Sequence, residues 1–186
     1  FSTVIFASPI DEKNNPSALI PLSGTYSIPG DFASINDAAI SLNTNGISGP
    51  VLFNVAANHT ETAPAGTSTT ITGGIIYRIV AGTSATNTIT FQKNGTGANP
   101  LITAGANHFA GGIMDGVIKI IGTDYLIFDS IDVIENPLNT VFNPIPSNNM
   151  TEFGFAFFYG NPTATADGAK NNIIRNCNIT LNNIGT

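Results

Sequence analysis

Asp124, Asp129 and Asp132 form the densest acidic group in the chain, and Arg175 aligns with Asp129 across an internal repeat. Carboxylates grouped on short strands suit glycoside chemistry, where one acts as acid and its neighbour as base or nucleophile. The competing reading is structural. Asp at a strand corner is ordinary turn chemistry. Asp129 set one repeat before Arg175 makes an exposed ion pair, worth only about 0–1 kcal/mol. The sequence favours the structural reading.

Other reactive side chains are few. His59 and His108 titrate in the range that acid–base catalysis uses. Each sits in a loop-like stretch with no Ser, Cys or carboxylate partner in a known arrangement, so both read as surface residues. Cys177 is the only cysteine and replaces an apolar position of the repeat, which makes it a small core residue rather than a nucleophile. Phe153, Phe155 and Phe157 alternate, as an internal aromatic stack requires, whereas Phe158 and Tyr159 are harder to place. Aromatic rings on an outer sheet face could instead stack on sugars. No phosphate loop, zinc-ligand spacing or nucleophile elbow is present.

The elements that position these residues are written twice. Gly116-Val-Ile-Lys-Ile-Ile-Gly122 is followed by Phe128-Asp-Ser-Ile-Asp-Val133. Gly154-Phe-Ala-Phe-Phe-Tyr-Gly160 is followed by Ile174-Arg-Asn-Cys-Asn-Ile179. Repeats of this size indicate stacked, quasi-one-dimensional architecture. Aligning the glycine brackets, then the strands behind them, matches Phe128, Ile131 and Val133 to Ile174, Cys177 and Ile179 as the inward set. The alternation skips one residue at Ser130 and Asn176, where the chain must turn a corner and restart. Asp129 then lies one level below Arg175.

Composition agrees. Of the 186 residues, 42% are hydrophobic but only 10% are charged, against about 25% charged in ordinary domains. Asn, Gly and Thr suit short strands and tight turns, and strong helix formers are scarce. The chain is therefore all-β. The six basic residues are scattered and net charge is −6, which excludes the basic footprint of a nucleic-acid binder. No apolar run reaches the length of a membrane-spanning helix.

Residues 1–22, with three prolines, read as an arm or linker carrying a short strand over residues 3–6. One amphipathic helix is predicted over about residues 32–43, with Phe32, Ile35, Ala38, Ala39 and Leu42 on one face, Asp31 as its cap and Asn45-Gly46 as its stop. Short strands follow to the end, among them residues 51–55, 75–80, 88–91, 101–103, 117–121, 126–128, 131–134, 153–159, 172–175 and 178–181.

Gly30-Asp-Phe-Ala-Ser-Ile-Asn-Asp-Ala-Ala-Ile-Ser-Leu42 and Gly49-Pro-Val-Leu-Phe-Asn-Val-Ala-Ala-Asn-His-Thr-Glu61 resemble the cap and first coil of right-handed parallel β-helices, the pectin-lyase-like superfamily. Gly122-Thr-Asp-Tyr-Leu-Ile-Phe-Asp-Ser-Ile-Asp-Val133 looks like a later coil. The resemblance runs from about residue 22 to the end and implies a β-helix over residues 23–186, incomplete at its far end, with a helix covering the open first coil. It also implies a secreted or cell-surface bacterial setting, polysaccharide or cell-surface glycan as ligand, and export through outer-membrane type IX secretion machinery. It points to no cofactor other than calcium, which enzymes of this superfamily bridge with carboxylates. The Asn-Thr-Asp, Asp-Asp, Gly-His-Gly and Arg-Ile-Lys blocks of its polygalacturonase-like enzymes are missing here. The expectation is a non-catalytic module: adhesin, stalk or glycan-binding surface. The alternative is a polysaccharide lyase or hydrolase with its site on an outer sheet face, carried by Asp124, Asp129, Asp132 and Arg175.

Overall fold

The structure is a computed structural model and describes residues 19–66, 73–106, 116–140, 150–161 and 167–182. The expected strand over residues 3–6, and His108, lie outside the described residues. The chain begins with β1 (Leu22–Ile28) and α1 (Ile35–Asn45), then β2 (Ile47–Ala56), β3 (Thr60–Thr62) and β4 (Ile75–Arg78). There follow β5 (Ile89–Asn94), β6 (Leu101–Thr103), β7 (Ile118–Ile121), β8 (Leu126–Asp129) and β9 (Asp132–Ile134). The last are β10 (Phe155–Phe158), β11 (Ile173–Arg175) and β12 (Ile179–Thr180).

These strands form three sheets, ordered β1-β2-β5-β8-β11, β12-β9-β6-β3 and β10-β7-β4. Among the described residues every pairing between these strands is parallel, and an isolated antiparallel bridge joins Tyr159 to Gly168. From β2 onward the chain visits the first, second and third sheets in turn, so each strand lies beside its equivalent from the previous circuit. Among the described residues the protein is thus an all-β parallel fold with one helix.

Pairing in register stacks like on like. In the first sheet Tyr26 pairs with Phe53, Phe53 with Phe91, Phe91 with Phe128, and Phe128 with Ile174. The Phe53 and Phe91 rings lie 4.4 Å apart and the Phe91 and Phe128 rings 5.3 Å apart, each pair tilted by 10°. In the second sheet Ile102, Val133 and Ile179 form one column, and in the third Tyr77, Ile120 and Phe157 form another. All but the last member of each column is buried, and those last members, Ile179 and Phe157, are 49% and 47% exposed.

The corners fall where the alternation of the sequence breaks. Ser130 and Asn176 have φ of 62° and 57°, and Tyr125 and Asn171, just before β8 and β11, share a φ of 57°. A left-handed residue turns the chain without a hairpin. Asn tolerates that conformation better than most residues.

Two expectations are corrected. The glycine brackets would set Phe157 opposite Lys119, yet β10 pairs with β7 one residue over, with Phe155 on Ile118 and Phe157 on Ile120. A one-residue slip exchanges the two faces of a strand. The observed register keeps apolar side chains in the interior columns. The glycines still meet at the corner, where a Cβ on Gly122 would lie 2.7 Å from Gly160 Cα. Phe153, expected in the internal stack, precedes β10 and is exposed.

The helix is also shifted. It starts at Ile35 with Ser34 as N-cap, the Ser34 hydroxyl accepting from Asp37 N at 3.0 Å. Asp31 is engaged instead with Ser27, whose backbone N and hydroxyl both donate to its Oδ2 at 2.8 Å. Gly46, with φ 67°, ends the helix by donating its N–H to Leu42 O at 2.8 Å. Ile35, Ala38, Ala39 and Leu42 are buried as their spacing requires.

Inside the stack, the Tyr77 hydroxyl is buried and has no hydrogen-bond partner among the described residues. Burial, and then the Glu61 charge, hold its phenol well above the usual range. A buried orphan hydroxyl opposes folding. Tyr77→Phe is therefore expected to stabilise the protein by about 1 kcal/mol, read as a higher denaturant midpoint at unchanged slope. A lower midpoint would show that the hydroxyl has a partner.

Candidate functional site

Each of the acidic candidates reaches across to the next circuit. Asp124 Oδ1 accepts from Lys170 N at 2.6 Å. Asp129 Oδ2 accepts from Arg175 Nε at 2.8 Å, and its Oδ1 accepts from Asn176 Nδ2 at 2.8 Å and from the Ser130 hydroxyl at 3.2 Å. Asp132 Oδ1 accepts from Asn178 N at 2.9 Å and from Asn99 Nδ2 at 2.8 Å, while Oδ2 accepts from Asn178 Nδ2 at 3.1 Å. Asp129 and Arg175 thus meet as the repeat alignment expects. The polar partners Asn172, Asn176 and Asn178 fill the same role of stitching one level to the next, with Asn172 Oδ1 accepting from Leu126 N at 2.8 Å.

The electrostatics follow from these bonds. The Asn176 hydrogen bond, with those from Arg175 and Ser130 and against the effect of burial, holds the Asp129 carboxyl below its usual range. For Asp132, burial pushes upward, but hydrogen bonds from Asn99 and Asn178 and the charge of Lys93 outweigh it, and the net direction is down. Groups with depressed folded-state values stabilise the fold above the unfolded value and lose that contribution as pH falls through the folded one. The attachment of β11 and β12 should therefore weaken below about pH 4, near the ordinary carboxyl value. Asp132→Asn should flatten that pH dependence. Amide exchange at Asn178, followed against pH, would check it; identical acid profiles for the two proteins would refute the linkage. At neutral pH the Asp129–Arg175 coupling in a double-mutant cycle should be no more than about 1 kcal/mol, since Arg175 is largely solvated.

These carboxylates do not assemble a metal site. Among the described residues, no group of three or more His, Cys, Asp or Glu side chains is placed to hold an ion.

A second polar centre lies at the helix end of the stack, and here the sequence reading of His59 is corrected. His59 Nε2 stands 3.0 Å from Glu61 Oε2, and both side chains are nearly buried. Glu61 Oε2 also accepts from Ile35 N at 2.7 Å, and Oε1 accepts from Asn36 N at 3.2 Å. The carboxylate thus holds the free amides of the first turn of α1, where negative charge is favourable. Glu61 pairs with Ile102 and heads the inward column of the second sheet. The signal was available: residues two apart on a strand share a face. It was hidden because β3 has only three residues and no apolar alternation. The dyad resembles an acid–base pair, but both carboxylate oxygens are engaged by helix amides.

Glu135 also escaped the sequence reading. It is 3% exposed and gathers Asn136, Asn139 and Thr151 around its carboxylate. Cys177 is half-buried against the core, accepting from Ile131 N at 3.4 Å and donating to Arg175 O at 3.1 Å. Burial first, then the Asp132 charge, push its thiol up, which suits a core residue and not a nucleophile. Phe157, Phe158 and Tyr159 line a shallow open groove with Gly168 and Ala169.

No family model, no curated protein and no solved structure matches the chain. Among the described residues, no helix is long and apolar enough to cross a membrane.

Proposed function

We propose that the chain is a section of a right-handed parallel β-helix of the pectin-lyase-like kind. In this reading it is a non-catalytic module of a secreted or cell-surface bacterial protein, exported by type IX machinery and serving as adhesin, stalk or glycan-binding surface. The observation that carries the reading is the use made of the acidic side chains. Asp124, Asp129 and Asp132 all accept hydrogen bonds from the following circuit. A catalytic carboxylate must instead lie within reach of a substrate proton or a metal. The cyclic visiting of three parallel sheets supports the β-helix. The right hand follows the rule that parallel crossovers take that hand in about 98% of cases. The surface supports a ligand rich in hydroxyls more than a charged one, because Asn, Thr and Ser supply most of its polarity.

The test is turnover and binding on a panel of neutral and acidic polysaccharides, with and without calcium. The expected result is no turnover under any condition, with saturable binding to a subset. Turnover abolished by Asp129→Ala or Asp132→Ala in a folded protein would replace the module by a lyase or hydrolase.

A further inference from the structure

Asparagine is a thermolabile side chain, and most so before glycine, which puts no Cβ between its own nitrogen and the preceding carboxamide. The chain holds two such pairs, Asn45-Gly46 and Asn94-Gly95. The fold treats them oppositely. Gly46 is buried at the end of α1, and its N–H donates to Leu42 O at 2.8 Å. The Asn45 carboxamide is held too, Nδ2 donating to Ser41 Oγ at 3.1 Å. Asn94 ends β5 and is exposed, as are Gly95, Thr96 and Gly97. Among the described residues the Gly95 N–H has no hydrogen-bond acceptor. A Cβ placed on Gly95 would meet nothing nearer than Ala57 Cβ at 3.9 Å, so the space around the pair is open.

We propose that Asn94 is a self-modification site: the folded protein loses this side-chain amide spontaneously, while Asn45 is shielded. The Gly95 nitrogen bonds to the Asn94 side-chain carbonyl carbon. The carboxamide C–N bond breaks, and its nitrogen leaves as ammonia with the proton that Gly95 gives up. One water then opens the resulting succinimide, its hydroxyl going to the attacked carbonyl and its other hydrogen to the Gly95 nitrogen. Opening at the side-chain carbonyl restores the main chain and leaves an aspartate. Opening at the main-chain carbonyl leaves an isoaspartate, with the chain rerouted through the former side chain.

The two products differ at the ladder. Asn94 O accepts from Ala57 N at 2.8 Å, beyond the last paired residues of β2 and β5, Ala56 and Asn94. In the aspartate this carbonyl stays in the main chain. In the isoaspartate it becomes part of a free carboxylate, and the extra chain carbon displaces it from Ala57. The loop is tied on its other side, where Ala98 N donates to Asn58 Oδ1 at 3.1 Å and Ala98 O accepts from Asn58 N at 3.0 Å. The change therefore loosens the last rung of β5 and not the whole strand. The new negative charge arises in a loop that already holds a cation, Lys93 Nζ donating to Gly97 O at 3.2 Å.

The experiment is incubation of the folded protein at mildly alkaline pH, followed by peptide mass mapping that separates isoaspartate from aspartate, and by amide exchange. Amide loss at Asn94 should run at least about tenfold faster than at Asn45, where Gly46 must first open from the helix. In denaturant the two rates should converge. The Ala57 amide should exchange faster in proportion to the isoaspartate formed. The Val51 amide, which bonds Thr88 O at 2.9 Å at the other end of the pairing, should not change. Asn94→Gln, at an exposed position and with a side chain that closes its ring far more slowly, should remove both effects. Equal loss at the two sites in the folded protein, or retention of the Asn94 amide, overturns the modification site. Rates that stay apart in denaturant overturn the shielding of Asn45 by the fold. Isoaspartate with unchanged Ala57 exchange overturns the effect on β5.

Discussion

Glu135→Ala is expected to destabilise the protein by about 3–5 kcal/mol, the range for breaking a buried hydrogen-bond network. Glu135 Oε1 accepts from Asn136 N at 2.9 Å, from Asn139 Nδ2 at 2.9 Å and from the Thr151 hydroxyl at 3.1 Å. Oε2 accepts from Thr151 N at 2.7 Å. Truncation takes this acceptor away from the buried Asn136 and Thr151 amides, each with a desolvation cost of about 1–3 kcal/mol before relaxation. The effects are not additive, since the donors share one cavity and water can enter it. The cluster also ties circuits together. Asn136 Nδ2 donates to Ala104 O at 2.9 Å and Asn139 Nδ2 to Gly105 O at 3.0 Å, so loss of the carboxylate loosens a seam between levels. Glu135→Gln keeps the shape and one acceptor but turns an N–H toward other N–H groups, and should cost about 2 kcal/mol. Chemical denaturation of the three proteins checks both figures. A midpoint for Glu135→Ala equal to that of the parent would remove Glu135 from any account of stability.

Phe91→Ala should cost a similar amount, about 3–5 kcal/mol, for a different reason. Phe91 is fully buried and its ring touches three others: Phe53 at 4.4 Å, Phe128 at 5.3 Å and Tyr77 at 5.7 Å. Its removal forfeits the transfer of a large apolar surface from water and leaves a cavity between sheets that cannot collapse, because their spacing is set by backbone hydrogen bonds on either side. Phe155 provides the contrast. It packs at 5.2 Å on Phe128 but is only half-buried at the open edge. Phe155→Ala should therefore cost about 1–2 kcal/mol, because solvent already wets one side of the ring. A larger loss at Phe155 than at Phe91 would mean that the far end carries the stability, contrary to the burial gradient.

Much of the strand framework was legible because its signals are local. Leu101–Thr103 matches the expected strand, and β7, β8, β9, β11 and β12 fall within two residues of their expected bounds. The left-handed corners at Ser130 and Asn176 were legible as a break in alternation. The Asp129–Arg175 pair was legible because in-register stacking carries an alignment directly into a contact.

What stayed hidden has one physical character. Glu61 with the first turn of α1, Glu135 with Thr151, and Asn43 with β4 each join a side chain to backbone groups on a distant segment. Such bonds depend on where two segments come to rest, and nothing in local periodicity encodes that. The glycine register failed at β10 for a related reason. Glycines mark corners, whereas strand register is decided by which side chains the interior accepts, and Phe157 on Ile120 wins over Phe157 on Lys119.

By itself, then, the sequence determined an all-β chain with stacked repeats, one amphipathic helix with its buried face, and an acidic cluster set against Arg175. Periodicity, composition and turn residues fix these through local conformational preference. Only the tertiary structure decided the parallel three-sheet order, the one-residue shift of β10, and the engagement of every acidic candidate by the next circuit. It alone also decided the two anchors that seat the helix. Those outcomes come from burial and from satisfying backbone polar groups between segments distant in the chain. That energy exists only once the layers have met.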